Sequence, residues 1–214
     1  MTRLAECAIS CAFPTNRDDF FTSRRQAHSE YVKRFLGGWE QYEAVSSHLS
    51  HCIQRYRVLG VARVEERVTA TQLRALMQTF KVVILFGHRI EEASGDQYIE
   101  LWESKIDPES FVELVPAEFT GVIDLSVCGP GMFVDKLNRR LTRCTVGYSD
   151  KPVKPTLWAE IYGDVFEILG LNPCLDYEDV LTRVVLEHRR QSRSTLRRMT
   201  RAILKRLIGG EKKC

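Results

Sequence analysis

The chain has 214 residues, 44% of them hydrophobic and 28% charged. That length supports a core burying roughly 70–75% of the unfolded surface without a disulfide or metal staple, and the composition excludes a wholly disordered, collagen-like or coiled-coil chain. The net charge of +3 is uneven, because residues 187–214 hold ten Lys or Arg against two Glu and so leave −5 on the first 186.

In chain order, alternating Ala5, Cys7, Ile9, Cys11 and Phe13 predict a first strand over 4–13, ended by Pro14-Thr15-Asn16. Ala27, Tyr31, Val32 and Phe35 predict an amphipathic helix from Ser23 to about Leu36, interrupted by Gly37-Gly38. A second helical stretch over 39–54 and a strand through Tyr56–Val64 follow. Thr69 or Thr71 caps a short helix through Leu73, Leu76 and Met77. It leads into Val82-Val83-Ile84-Leu85-Phe86-Gly87-His88, an apolar run that reads as a strand buried on both faces. A hairpin is expected over 97–106, then a helix with Asp107 as N-cap and Pro108 at its first position. Gly121-Val122-Ile123-Asp124-Leu125-Ser126-Val127 forms the next buried strand and ends at Cys128-Gly129-Pro130-Gly131. A helix through Phe133, Leu137 and Leu141, a strand over Cys144–Tyr148 and a helix over Thr156–Leu169 complete the body. Alternating helices and apolar strands predict an α/β three-layer α/β/α sandwich with a mostly parallel central sheet. The expected division is a body over 1–172 and a basic helical tail over 173–214.

In an open parallel sheet, functional groups collect past the carboxyl ends of the strands. Two strands end in reactive residues there, one at His88 and one at Cys128. An imidazole beside a thiol favours the nucleophilic thiolate and can protonate a leaving amine. Gly129 permits a turn that exposes the sulfur and aims backbone N–H groups at an oxyanion.

The stretch Val82–His88, the hairpin Tyr98–Ile106 and Ile123-Asp124-Leu125-Ser126-Val127-Cys128 together resemble the caspase–hemoglobinase superfamily of clan CD cysteine peptidases, and most of all its prokaryotic CHAT branch. The resemblance covers roughly residues 56–170. It implies Cys128 as nucleophile, His88 as proton shuttle, and backbone N–H groups of Cys128 and of Arg89 or Gly87 as the oxyanion hole. It further implies cleavage of a protein partner, with gasdermin-like proteins of bacterial defence systems among the substrates of such relatives. Two positions depart from the family pattern: Arg89 follows His88 where a glycine is usual, and Pro130 stands where another glycine is expected. A catalytically inactive module of the same fold, binding a partner through its groove and basic tail, is the alternative. Asp124, Glu91, Glu92 and Asp96 are the acids expected to line a pocket for a cationic residue before the scissile bond; Arg89 or Lys151 would suit an anionic one.

No cofactor or metal is expected. His48, His51 and Cys52 share a helix but lack a further ligand motif, and Val134 stands where a phosphatase Cys-x5-Arg loop needs arginine. Seven cysteines, an odd number at irregular spacing, read as reduced thiols. No apolar run approaches the roughly 20 residues of a membrane span, and Glu6 stands where a signal peptide needs apolar residues; a cytoplasmic chain is expected. In residues 188–213, Leu196, Met199, Ile203 and Leu207 fall on one helical face among the arginines. That stretch is expected to meet an acidic partner or an anionic surface, and its lack of aromatic residues counts against single-stranded nucleic acid.

Overall fold

A computed structural model describes residues 1–141, 143–148 and 154–191. Five parallel strands form the central sheet: β1 (Cys7–Cys11), β2 (Arg63–Glu66), β3 (Val82–Phe86), β7 (Val122–Ser126) and β8 (Thr145–Tyr148), in the order β2-β1-β3-β7-β8. β3 pairs with β1 on one side, Cys7 opposite Val82 through Cys11 opposite Phe86, and with β7 on the other, Val82 opposite Val122 through Phe86 opposite Ser126. Three short antiparallel strands, β4 (Arg89–Glu91), β5 (Gln97–Glu100) and β6 (Lys105–Ile106), make a separate small sheet in the β3–β7 crossover.

Helices cover both faces, as the three-layer expectation requires. Cys7, Ile9, Ile84 and Phe86 face α2 (Trp39–Leu59), α6 (Pro155–Leu171) and the last helix described, α7 (residues 177–191). The opposite residues, Ala8, Val83, Leu85, Ile123 and Leu125, pack on α3 (Ala70–Thr79), α4 (Pro108–Leu114) and α5 (Gly131–Arg140). The period-2 alternation of Cβ directions sends successive residues of β1, β3 and β7 into two different cores. This is why those strands are apolar almost throughout. Thr69 forms a capping box with Gln72 at the start of α3, and Asp107 caps α4 with Pro108 at its first position.

Four expectations differ from the structure. The helix expected over 23–36 is displaced: α1 runs Arg17–Arg25, started by Asn16, whose side chain accepts the Asp19 N–H, and the chain leaves the helix at Gln26 in an extended conformation. Beyond it lies only a single 3-10 turn, Val32–Arg34. The N–H groups of Glu30 and Tyr31, which a helix would turn onto its own carbonyls, are taken by the Glu100 carboxylate. Next, Tyr56 lies in α2 rather than in a strand. The helix continues to Leu59 and stops at Gly60 in the left-handed region (φ 86°), where glycine pays no Cβ penalty. The hairpin over 97–106 is the second half of a three-stranded sheet whose first strand, β4, the sequence reading lacked. Finally, the division at residue 172 does not coincide with a break in packing. Tyr177, Val180 and Val184 of α7 are buried in the core formed by α2 and α6.

The Tyr177 hydroxyl reaches through that core and donates to Asp124 Oδ2 at 2.6 Å. Burial pushes Asp124 up to about 6, against the phenols of Tyr177 and Tyr162, which favour the carboxylate. Tyr177→Phe should therefore cost about 1–3 kcal/mol, the usual penalty for stripping a partner from a buried polar group, and raise the Asp124 pKa further. Denaturant unfolding at pH 7 checks the first effect; an unchanged midpoint would make α7 an accessory rather than part of the core. The described part of the basic tail ends at Gln191. The Leu196–Met199–Ile203–Leu207 stripe and Lys151 lie outside the described residues. No helix among the described residues is long and apolar enough to cross a membrane.

Candidate functional site

The connection leaving β1 enters α1 and α2 on one face, whereas that leaving β3 runs through the small sheet to α4 on the other. Loops diverging in this way open a crevice above the carboxyl ends of adjacent strands. His88 lies at that edge of the sheet, two residues beyond the end of β3. The Gly87 N–H donates to the Ser126 carbonyl at 3.3 Å and closes the last β3–β7 pair, Phe86 opposite Ser126. His88 and Cys128 each follow two residues beyond the paired ends of these adjacent strands. Both belong to the α2/α6 face: Cys128 packs against the core on that side, and His88 has the parity of Ile84 and Phe86.

His88 is 6% exposed, and its Nε2 is buried without a hydrogen-bond partner among the described residues. The same holds for atoms of His28, Gln97, Ser126 and Tyr162, so what singles out His88 is an unpaired ring nitrogen at the carboxyl edge of the sheet. Burial, with the positive charges of Arg34 and Arg89 assisting, pushes the imidazole down to about 3. At neutral pH the ring is therefore uncharged and able to accept a proton. The Tyr31 ring lies against it, centroids 5.2 Å apart. Burial raises the Tyr31 phenol to about 12, opposed by Arg34, while negative charge at Cys128 and Cys11 adds to the rise.

The depressed His88 pKa has a consequence for stability. The folded state binds this proton less readily than the unfolded chain, so the contribution of the neutral ring is complete above the unfolded pKa near 6.5 and is lost as pH falls toward 3. Between pH 7 and pH 5 the loss should be about 2 kcal/mol. His88→Gln, which has no such proton, should show correspondingly less acid destabilisation in urea titrations at the two pH values. Parallel curves would contradict the buried, neutral imidazole.

Arg89, the residue that departs from the family pattern, ties the two loops together. Its Nε donates to the Cys128 carbonyl, its Nη1 pairs with Glu91 at 2.8 Å, and its guanidinium lies alongside Gly129. Gly129 sits at φ +54°, a conformation that glycine adopts freely. In the small sheet the His88 carbonyl accepts the Glu100 N–H, and the Glu92 N–H donates to Asp96. Alternation along an antiparallel ladder then turns the Arg89 N–H away from β5, leaving it available to a ligand. The Gly87 N–H is not available, because it belongs to the sheet; Gly87 drops out of the expected oxyanion set.

The four acids expected to line a pocket do not converge. Asp124 is 2% exposed and held by Tyr177 beneath α6 and α7. Glu91 pairs with Arg89, Glu92 with Lys105, and Asp96 with the Ser94 hydroxyl on the exposed hairpin. The acid that does stand beside the crevice is Glu100, which sequence reasoning missed. It is 6% exposed, and burial pushes it up to about 7 against the N–H groups of Glu30 and Tyr31. Its only sequence signal was an acid inside a short strand. His48, His51 and Cys52 also separate: His48 bonds the Thr156 carbonyl at 3.2 Å, His51 is exposed, and Cys52 lies in the core. Among the described residues no group of three or more His, Cys, Asp or Glu is placed to hold a metal.

No protein-family model matches the chain, and a search of curated proteins gives no match.

Proposed function

We propose that the protein is a cysteine endopeptidase of the caspase-like type, with Cys128 as nucleophile and His88 as general base and acid. The observation that supports this reading is the place of Cys128 and His88, each two residues past the paired ends of β3 and β7 on the α2/α6 face, with a neutral imidazole whose Nε2 has no hydrogen-bond partner among the described residues. In the reaction, His88 takes the thiol proton as sulfur bonds to the scissile carbonyl carbon. The backbone N–H groups of Cys128 and Arg89 receive the developing oxyanion. The C–N bond then breaks, His88 returns its proton to the departing amine, and water, deprotonated by His88, releases the acyl group and regenerates the thiol. The substrate is a protein segment, and the resemblance extends the proposal to a gasdermin-like partner in a bacterial defence setting.

The second reading, an inactive module binding a partner through the same groove, draws support from Tyr31, which covers the imidazole. A positional-scanning peptide library separates the two. The peptidase reading expects cleavage after one residue type, blocked by thiol alkylation. Binding of peptides with no cleavage at any position supports the module. The scan also reads the residue preferred before the scissile bond.

A further inference from the structure

Between α1 and α2 the chain passes against His88 in a segment, residues 26–36, that is mostly irregular. Its middle is fastened to the small sheet rather than to its own helix. The N–H groups of Glu30 and Tyr31 both bond to Glu100, the latter at 3.2 Å to each carboxylate oxygen. Glu100 in turn donates its own N–H to the His88 carbonyl at 2.9 Å. The fastening point and the candidate base are therefore joined by one backbone hydrogen bond. Tyr31 then lays its ring across His88 and against Phe13, with centroid separations of 5.2 and 4.7 Å. The margins are held by side chains: Arg24 donates to the Phe35 carbonyl at 3.1 Å, and Gln41 accepts the Gly37 N–H at 2.9 Å. Gly38, at φ +74°, gives the segment a turn at its C-terminal end.

We propose that residues 26–36 are an autoinhibitory strap that covers the Cys128–His88 site, latched by Glu100 and capped by Tyr31. This rests on the peptidase reading for its purpose, but not for its geometry. A peptide cannot reach an imidazole that is 6% exposed beneath a tyrosine ring, so the form described is a resting one and substrate must displace the strap. The latch is suited to release. It consists of two N–H groups on one carboxylate whose burial as an ion is costly, and the aromatic ring above His88 is replaceable by a substrate backbone.

The test compares alkylation of Cys128 by a bulky maleimide, quantified by peptide mass spectrometry, in wild type, Glu100→Gln and Tyr31→Ala. Glutamine replaces one of the two oxygens that the Tyr31 N–H meets with an NH2 donor, and losing a hydrogen bond to a carboxylate acceptor favours opening by about tenfold or more. Both variants should therefore label Cys128 at least about tenfold faster than wild type, while Cys174, which is exposed already, labels at an unchanged rate. Adding His88→Ala to each variant separates the two claims. Faster labelling that then drops supports strap and dyad together. Faster labelling indifferent to His88 leaves the strap standing and removes the peptidase reading. An unchanged rate in both variants overturns the strap, whatever His88 does.

Discussion

Cys128→Ala should abolish peptide-bond cleavage, and His88→Ala should slow it by about 10²–10⁴. The two losses differ in kind. Without sulfur no acyl-enzyme can form, whereas without the imidazole the thiol must ionise unaided and the leaving amine must take its proton from water. Neither change should disturb the fold. Cys128 is only half-buried at the end of its strand, and His88 spends no side-chain hydrogen bond from Nε2. Turnover by Cys128→Ala at the wild-type rate would remove the nucleophile from consideration. Comparing the variants at equal folded fraction, checked by circular dichroism, keeps the kinetic loss separate from a stability loss.

The largest effect on stability is expected at Gly121, where β7 begins beside β3. Val122 donates its N–H to the Lys81 carbonyl at 2.7 Å. A Cβ added at Gly121 would stand 1.9 Å from that oxygen and 2.8 Å from the carbonyl carbon. Both are backbone atoms, so no side-chain rotation relieves the clash, and the strands must separate or shift. Gly121→Ala should cost about 3 kcal/mol or more, read from the urea midpoint. Gly131→Ala is the control: a Cβ there meets nothing within 4 Å, and alanine suits a helix by up to about 1 kcal/mol better than glycine. Equal midpoints for the two variants would contradict the β3–β7 register that places His88 and Cys128 at the ends of neighbouring strands.

The two strands that carry this register are legible in the sequence because of what surrounds them. Strands covered on both faces must be apolar throughout, so Val82–Phe86 and the stretch around Val122–Val127 stand out as runs, and the residues ending them stand out by contrast. Thr69 and Asp107-Pro108 declared their helices through local capping chemistry that depends on nothing distant. The failures share the opposite property. Helical spacing over residues 27–35 is real, yet Glu100, some 70 residues later, takes the N–H groups the helix would need. Tyr56 looked like a strand residue because its aromatic ring suits one, but its hydroxyl bonds the Ala159 carbonyl across the core. Asp124 in an apolar strand reads as a pocket acid because its partner, Tyr177, lies in the stretch assigned to the basic helical tail. Each miss is a long-range polar contact overriding a local pattern.

The proposal rests on Cys128 acting as a nucleophile with His88, at the end of the neighbouring strand, as its base. Labelling with a peptidyl electrophile, read as the site of modification, tests this most directly. Selective modification of Cys128 over Cys52 and Cys144 is expected, slow in wild type while the strap is closed and faster in Glu100→Gln, and strongly diminished when His88→Ala is added to either. Equal modification of the three cysteines, or selectivity that survives the loss of His88, would contradict it.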